Sequence, residues 1–183
     1  MWHYRAYALI CAVLFLHATP ARAEWDKIDC SKSEVTIPGA TMCEHGPSDN
    51  GASGTCRFER FAAFHAPIPN GPPFRFRVSA YINHTPNCWV RKLEENEDLT
   101  KLLKSATPYA GQGQNWSPIR NFLTGYVASF VADNRECIAF FQYGPAFKSG
   151  YSHTFWGDYC TTKGKHITDE ELADAFKSIH ISQ

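Results

Sequence analysis

The alternation of apolar and polar residues is clearest in the middle of the chain. Apolar side chains recur at every second position, at Phe74, Phe76, Val78, Ala80 and Ile82. Because successive side chains of a strand point to opposite faces, this period of two predicts a half-buried strand. Its other face, which carries arginine, serine and tyrosine, is expected to point outward.

Further strand-like segments surround this one. A first candidate covers residues 57–65, and three more cover 122–131, 136–143 and 151–160. The last three are separated only by a turn at 132–135 and a glycine-bounded turn at 144–150. Consecutive strands joined by short turns predict an antiparallel meander.

Two segments have the spacing of an amphipathic helix instead. The first places apolar residues at Leu99, Leu102, Leu103 and Ala106, after the acids Glu94, Glu95, Glu97 and Asp98, which suit a helix start. The second places Leu172, Ala175, Phe176 and Ile179 on one stripe, and Thr168 with Glu171 forms a capping box before it. We therefore predict two helices.

Residues 24–55 are rich in glycine, proline, serine and asparagine, which predicts a loop-rich segment. The whole pattern predicts an α+β domain over residues 24–183. Its antiparallel sheet, a meander, would be flanked by the two helices and held by disulfides.

The first 23 residues have the pattern of a secretory signal peptide. Arg5 supplies a positive charge, an apolar run covers 6–16, and Ala21-Arg22-Ala23 matches a cleavage site. The apolar run is shorter than the roughly 20 residues that span a bilayer. No second long apolar run follows, so we expect a soluble mature protein without a membrane span, periplasmic or secreted.

Removing residues 1–23 leaves 16 Lys and Arg against 18 Asp and Glu, a net charge near −2. A weakly acidic chain without a long basic run is poorly suited to nucleic-acid binding. We therefore expect no nucleic-acid partner, and the partner is an unknown protein or envelope ligand.

The cysteine pattern favours disulfides. Six cysteines remain after the signal segment, namely Cys30, Cys43, Cys56, Cys88, Cys137 and Cys160. An even number in an exported chain indicates disulfide bonds, and the close pairs typical of zinc sites are missing. Six cysteines allow 15 pairings, so the pairing of the first four stays open.

The spacing of the last two cysteines favours one bridge. A hairpin centred on the 144–150 turn places Cys137 nearly opposite Cys160. Cross-strand neighbours of this kind come within disulfide reach, so we predict a Cys137–Cys160 bond.

The C-terminal third also has a recognisable arrangement. A strand with Cys137-Ile-Ala-Phe140, a strand that ends Gly157-Asp-Tyr-Cys160 and a capped helix ending near Ile179 follow one another. About 45 residues in this arrangement resemble small exported cysteine-containing proteins of alphaproteobacteria. The resemblance implies a bacterial periplasmic or secreted protein, and it carries no active site.

Candidate catalytic chemistry is sparse. Ser129, His153 and Asp158 supply the residue types of a hydrolase triad, but His153 and Asp158 would point to opposite faces of one strand. No two histidines of the mature chain lie three to five residues apart, so the usual local ligand pairs are missing and we predict no metal site. The alternative is a site assembled from distant strands. No cofactor motif is complete either.

Aromatic residues in the second half of the chain are the remaining signal, because Tyr and Trp often anchor interfaces. Tyr109 and Trp116 flank one turn, and the 144–150 turn is a second place for a binding surface. The sequence thus favours a non-enzymatic exported binding or interaction protein. The alternatives are a small periplasmic hydrolase without a recognisable motif and a host-directed effector or inhibitor.

Overall fold

The computed structural model describes residues 25–51, 54–65, 76–93, 99–105, 113–161 and 164–182. The predicted signal peptide at 1–23 and the acids at 94–98 lie outside these ranges. Within them, no helix is long and apolar enough to cross a bilayer.

Strands make up most of the described structure. They are β1 (Asp26–Ile28), β2 (Val35–Thr36), β3 (Met42–Asp49), β4 (Phe58–Phe64), β5 (Phe76–Asn83), β6 (Arg120–Phe122), β7 (Gly125–Ala132), β8 (Arg135–Tyr143), β9 (Ala146–Phe147), β10 (Gly150–Tyr151), β11 (His153–Cys160) and β12 (His180–Ile181). The helices are α1 (Leu99–Ser105) and α2 (Asp169–Lys177), and a short 3-10 turn covers Cys30–Lys32.

Eight strands form one antiparallel sheet in the order β1-β3-β4-β5-β11-β8-β7-β6. The predicted meander is present as β7, β8 and β11, and Asp133 and Asn134 form its first turn with positive φ angles. β11 also pairs with β5, so it joins the two halves of the sheet. The remaining strands of the described ranges form two small antiparallel sheets, β9 with β10 and β2 with β12. The mostly antiparallel α+β fold is thereby confirmed.

The prediction that residues 24–55 are mainly loop is wrong for β3. This strand pairs with β4 along its length and with β1 on its other edge. Its register shifts between Gly46 and Asp49, and such an irregularity accommodates Pro47, which has no N–H to donate. Pairing with neighbours overrides the turn-forming composition.

The predicted strand at 122–131 is in fact two strands. β6 ends at Phe122, Leu123 has a φ of 50°, and β7 begins at Gly125 and pairs back onto β6. Gly125 is required there, because a Cβ would lie 2.1 Å from the carbonyl oxygen of Phe141. Leucine is uncommon at positive φ, so the sequence carries no signal for this turn.

Both faces of the main sheet are covered, and directly opposed residues share a face. One face packs against α2 through Val78, Phe140, Leu172 and Phe176. The other contains Leu103 of α1. The predicted outward face of β5 is therefore partly buried, and Ser79 is only 3% exposed.

The predicted helices are present, with differences at their ends. Thr168 caps α2, since its hydroxyl accepts a hydrogen bond from the N–H of Glu171 at 3.1 Å. Leu172 and Phe176 are buried, as the apolar stripe predicts. In α1 only Leu103 is buried, and Ala106 lies outside the described residues.

Three disulfides link the described strands and turns. They join Cys30 to Cys43, Cys56 to Cys88 and Cys137 to Cys160. The last pair is directly opposed across β8 and β11, with Cα atoms 4.0 Å apart. This is the pairing that the hairpin spacing predicts.

Candidate functional site

A cavity of about 650 Å³ lies where β8 turns into β9. β11 forms one side, and the C-terminal end of α2 and β12 form another. Gly144, Pro145 and Ala146 contribute the rim, so part of the 144–150 turn does line a concave surface. The cavity lies on the α2 face of the sheet.

Two aromatic rings of the α2 face contribute to the walls, where Phe155 meets Phe176 edge to face at 6.2 Å. Tyr143 borders the cavity at the end of β8, but its ring belongs to the cluster on the α1 face, where it stacks on Tyr151 with ring centres 4.4 Å apart. The N–H of Leu93 donates a hydrogen bond to the Tyr143 hydroxyl at 2.9 Å, which fixes that ring. Aromatic rings in a concave wall suit flat or apolar ligands.

His153 is a polar group in this largely apolar wall. It is 8% exposed, and burial lowers the pKa of its imidazole, which favours the neutral ring. The Oγ of Ser152 lies 3.0 Å from Nδ1 and orients the ring. Gly144 allows the close approach, because a Cβ there would lie 2.4 Å from Nε2. A neutral imidazole can donate or accept a hydrogen bond without bringing a charge into the cavity.

Thr124 and His180 add polar atoms to the lining. The Thr124 hydroxyl donates to the carbonyl of Tyr143 at 2.6 Å and also lies 3.2 Å from Oε1 of Gln142. His180 is exposed and stands on β12, where it pairs with Thr36. A few polar groups in an apolar concavity are the usual composition of small-molecule sites.

The sequence does not identify the aromatic lining as a site. Phe155 and Phe176 come from two elements that the fold brings together, and the sequence alone does not distinguish an aromatic cavity wall from an aromatic core. The one available signal was the 144–150 turn, bounded by glycines beside aromatic strands.

Trp116, one of the two predicted binding residues, lies away from this cavity. Its ring stacks on Phe130 at 4.6 Å, its Nε1 donates to the carbonyl of Gly113, and Lys104 lies over its outer face. These contacts place it in the packing on the α1 side of the sheet, and its binding role stays a prediction. Tyr109 lies outside the described residues.

The residue types of a hydrolase triad are not brought together. Across the sheet, Ser129 of β7 pairs with Ile138 of β8, and Ile138 pairs with Tyr159 of β11. Tyr159 lies six residues from His153 along β11. At about 3.3 Å per residue, this separates Ser129 from His153 by roughly 20 Å. Asp158 is buried on the other face of β11.

Side chains that are able to bind a metal do converge elsewhere on the α2 face. Glu34, Glu59 and His84 place one ligand atom each within 4.8 Å of one another. Burial raises the pKa of Glu34, while the nearby His84 acts in the opposite direction. The prediction of no metal site rests on the absence of local histidine pairs, and these residues come from separate segments, which is the alternative that the sequence left open.

Compared with protein-family models, with curated proteins and with solved structures, the chain matches none. Its function must therefore be inferred from the geometry of the described residues.

Proposed function

We propose that the protein is an exported, disulfide-bonded binding protein that takes a small ligand with an aromatic or aliphatic body into the cavity beside β9. The observation that carries the proposal is the cavity itself. Its volume of about 650 Å³ falls within the roughly 300–1,000 Å³ of typical ligand pockets. Its lining is mostly apolar with few polar groups.

The disulfide bonds support export. Three disulfides occur in a chain of 183 residues, and such bonds persist in oxidising compartments. The signal-like segment at 1–23 points the same way. The proposed location is the periplasm or the exterior of a bacterial cell.

The lining also limits the ligand's chemistry. Phe155, Phe176 and the nearby Ile179 and Ile181 offer apolar surface for an apolar body. His153 offers a neutral donor or acceptor at its buried position. A suitable ligand carries one uncharged polar group on a flat or branched hydrocarbon frame.

A small hydrolase is the second candidate, and the contact between Ser152 and His153 favours it. A serine nucleophile next to an imidazole is the first part of a catalytic pair. Among the described residues that line the cavity, however, Ser152 does not appear. The geometry therefore supports orientation of His153 by Ser152, and binding is the better account.

The test is titration of the mature, disulfide-intact protein with N-phenyl-1-naphthylamine, an uncharged aromatic probe whose fluorescence rises in apolar sites. Ala146 lines the cavity, and Phe147 is the next residue on β9 but does not contribute to the lining. Ala146→Trp should fill the cavity and weaken probe binding by about tenfold or more, which is about 1.4 kcal/mol. Phe147→Trp, the matched control, should bind as the wild type does.

Equal probe binding by all three proteins would overturn the cavity proposal. Turnover of an ester or peptide panel that is lost in His153→Gln would favour the hydrolase instead. Capture of a specific partner from an envelope fraction that Ala146→Trp retains unchanged would show protein interaction through another surface.

A further inference from the structure

Four metal-ligating side chains meet on the α2 face of the sheet, at the ends of β4 and β5. They are Glu34, His45, Glu59 and His84, and we refer to them as the histidine–glutamate cluster. The β-ladder explains three of the positions. His45 is opposite Phe61, two residues from Glu59 on β4, and Glu59 is opposite Ile82, two residues before His84.

Glu34 reaches the cluster from a different direction. It directly precedes β2, and its carbonyl accepts a hydrogen bond from the N–H of Ser182 at 2.9 Å. β2 in turn pairs with β12. The fold therefore fixes the backbone on both sides of the cluster.

The distances among Glu34, Glu59 and His84 suit one small cation, and His45 approaches this group through Glu59. Nε2 of His84 lies 3.1 Å from Oε2 of Glu34, and Nε2 of His45 lies 3.4 Å from Oε2 of Glu59. Ligand atoms of Glu34, Glu59 and His84 all fall within 4.8 Å of one another. Tetrahedral ligands about 2.1 Å from one zinc ion are about 3.4 Å apart, so the widest separation in the group needs to close by at most about 1.4 Å.

Two atoms of the cluster lack the hydrogen bonds that their burial calls for. Oε2 of Glu34 and Nε2 of His45 are shielded from solvent, and neither makes a hydrogen bond within the described structure. Both are within ion-pair range of a cluster member but without hydrogen-bond geometry. A buried polar atom without a hydrogen bond is destabilising, and coordination of a cation would offset that cost.

Ion pairing within the protein accounts for only part of the arrangement. Arg57 donates to Oε1 of Glu59, whose side chain is 10% exposed. Oε2 of Glu59 then faces His45. Two carboxylates and one guanidinium leave one negative charge in excess, which attracts a cation to the cluster.

From these observations, we propose that Glu34, Glu59 and His84, with His45 as the fourth ligand, bind a divalent transition-metal ion, zinc in the first instance. Imidazole nitrogen and carboxylate oxygen are established zinc ligands. Each described cysteine is bonded to another, so thiolate ligands play no part. The proposal goes beyond the cavity and does not depend on it.

The experiment is calorimetric titration of zinc chloride into the tag-free, disulfide-intact mature protein in a non-coordinating buffer near neutral pH. The wild type should bind one zinc ion per chain. His84→Gln and His45→Gln should each weaken binding by about tenfold or more, because a lost ligand costs at least as much as a lost supporting contact. Zinc should also raise the unfolding temperature of the wild type but not of His84→Gln.

His166→Gln is the matched control, because His166 also pairs with a carboxylate, that of Glu136, but lies outside the cluster with an 81% exposed side chain. It should bind zinc as the wild type does. Equal zinc affinity in His84→Gln, His45→Gln and His166→Gln, or binding only by scattered sites of variable number, would overturn the proposal. Loss in either cluster variant with an unchanged control would support it.

Discussion

At the scale of single residues, His153 has the most distinctive position in the molecule. It is buried in a wall of aromatic rings, with Ser152 at its Nδ1 and Gly144 against its ring. Burial is the cause of its lowered pKa, because an apolar surrounding disfavours the charged imidazolium. The same burial that shapes the cavity therefore links stability to pH.

The sign of that link follows from proton uptake. The unfolded chain protonates His153 near its ordinary pKa of about 6.5, whereas the folded chain does so only at lower pH. Unfolding thus takes up a proton in this window, and stability falls as the pH drops below about 6.5. We predict that His153→Gln loses less stability than the wild type between pH 7 and pH 5. Urea unfolding across that range measures the difference.

Above pH 7 the gap between the two proteins should be constant, because the imidazole is neutral in both folded and unfolded chains. Glu34, whose pKa is raised, also titrates on acidification, but it is present in both proteins and cancels. A stability gap that does not change between pH 7 and pH 5 would contradict the assignment of a buried, neutral His153.

At the scale of elements, the sequence predicted what depends on local pattern. The alternation in β5, the turn at Asp133–Asn134 and the capping of α2 by Thr168 are all local signals, and the structure contains each of them. β3 was missed because its order comes from pairing with β1 and β4, which its own composition does not encode.

The candidate sites were harder to predict for the same reason. His153 and Phe176 are far apart in sequence and meet only because α2 packs on the sheet. Glu34, Glu59 and His84 are likewise distant, and their convergence requires the register of β4 and β5. Without strand order, these residues are indistinguishable from ordinary core and surface positions.

The Cys137–Cys160 bond is the element-scale feature with the clearest energetic consequence. It joins strands whose separation of 23 residues corresponds to roughly 3 kcal/mol in the chain-entropy model. We predict that Cys137→Ala/Cys160→Ala lowers the free energy of unfolding by about 2–4 kcal/mol. Urea unfolding at fixed pH measures this, with mass spectrometry confirming that the other two bonds remain.

The two strands keep their backbone ladder in that variant, so the fold itself should persist with reduced stability. A loss below about 1 kcal/mol would contradict the prediction and would show that strain in the folded state or residual structure in the unfolded chain cancels most of the entropic effect of the bond.

At the scale of the whole molecule, the C-terminal strand connects the two proposed sites. Ile179, His180 and Ile181 line the cavity, and β12 pairs with β2, which begins directly after Glu34. Ser182 holds the Glu34 carbonyl from the same segment. Residues 179–182 thus support one wall of the cavity and one ligand of the cluster.

We therefore predict that removing residues 179–183 weakens both sites in one variant. The naphthylamine probe should bind about tenfold or more weakly, because Ile179 and Ile181 no longer close the cavity. Zinc affinity should fall as well, since Glu34 loses its backbone anchor.

The partly buried isoleucines also pack on the core, and their loss should lower the free energy of unfolding by about 2–3 kcal/mol. A separate variant, Ile181→Asn, keeps the backbone pairing and removes only the apolar wall, so it should lose the probe but retain zinc. If the truncated protein binds the naphthylamine probe and zinc as the wild type does, the C-terminal strand supports neither site. If Ile181→Asn loses binding of the probe and of zinc, the two sites are coupled more directly than the β2–β12 pairing implies.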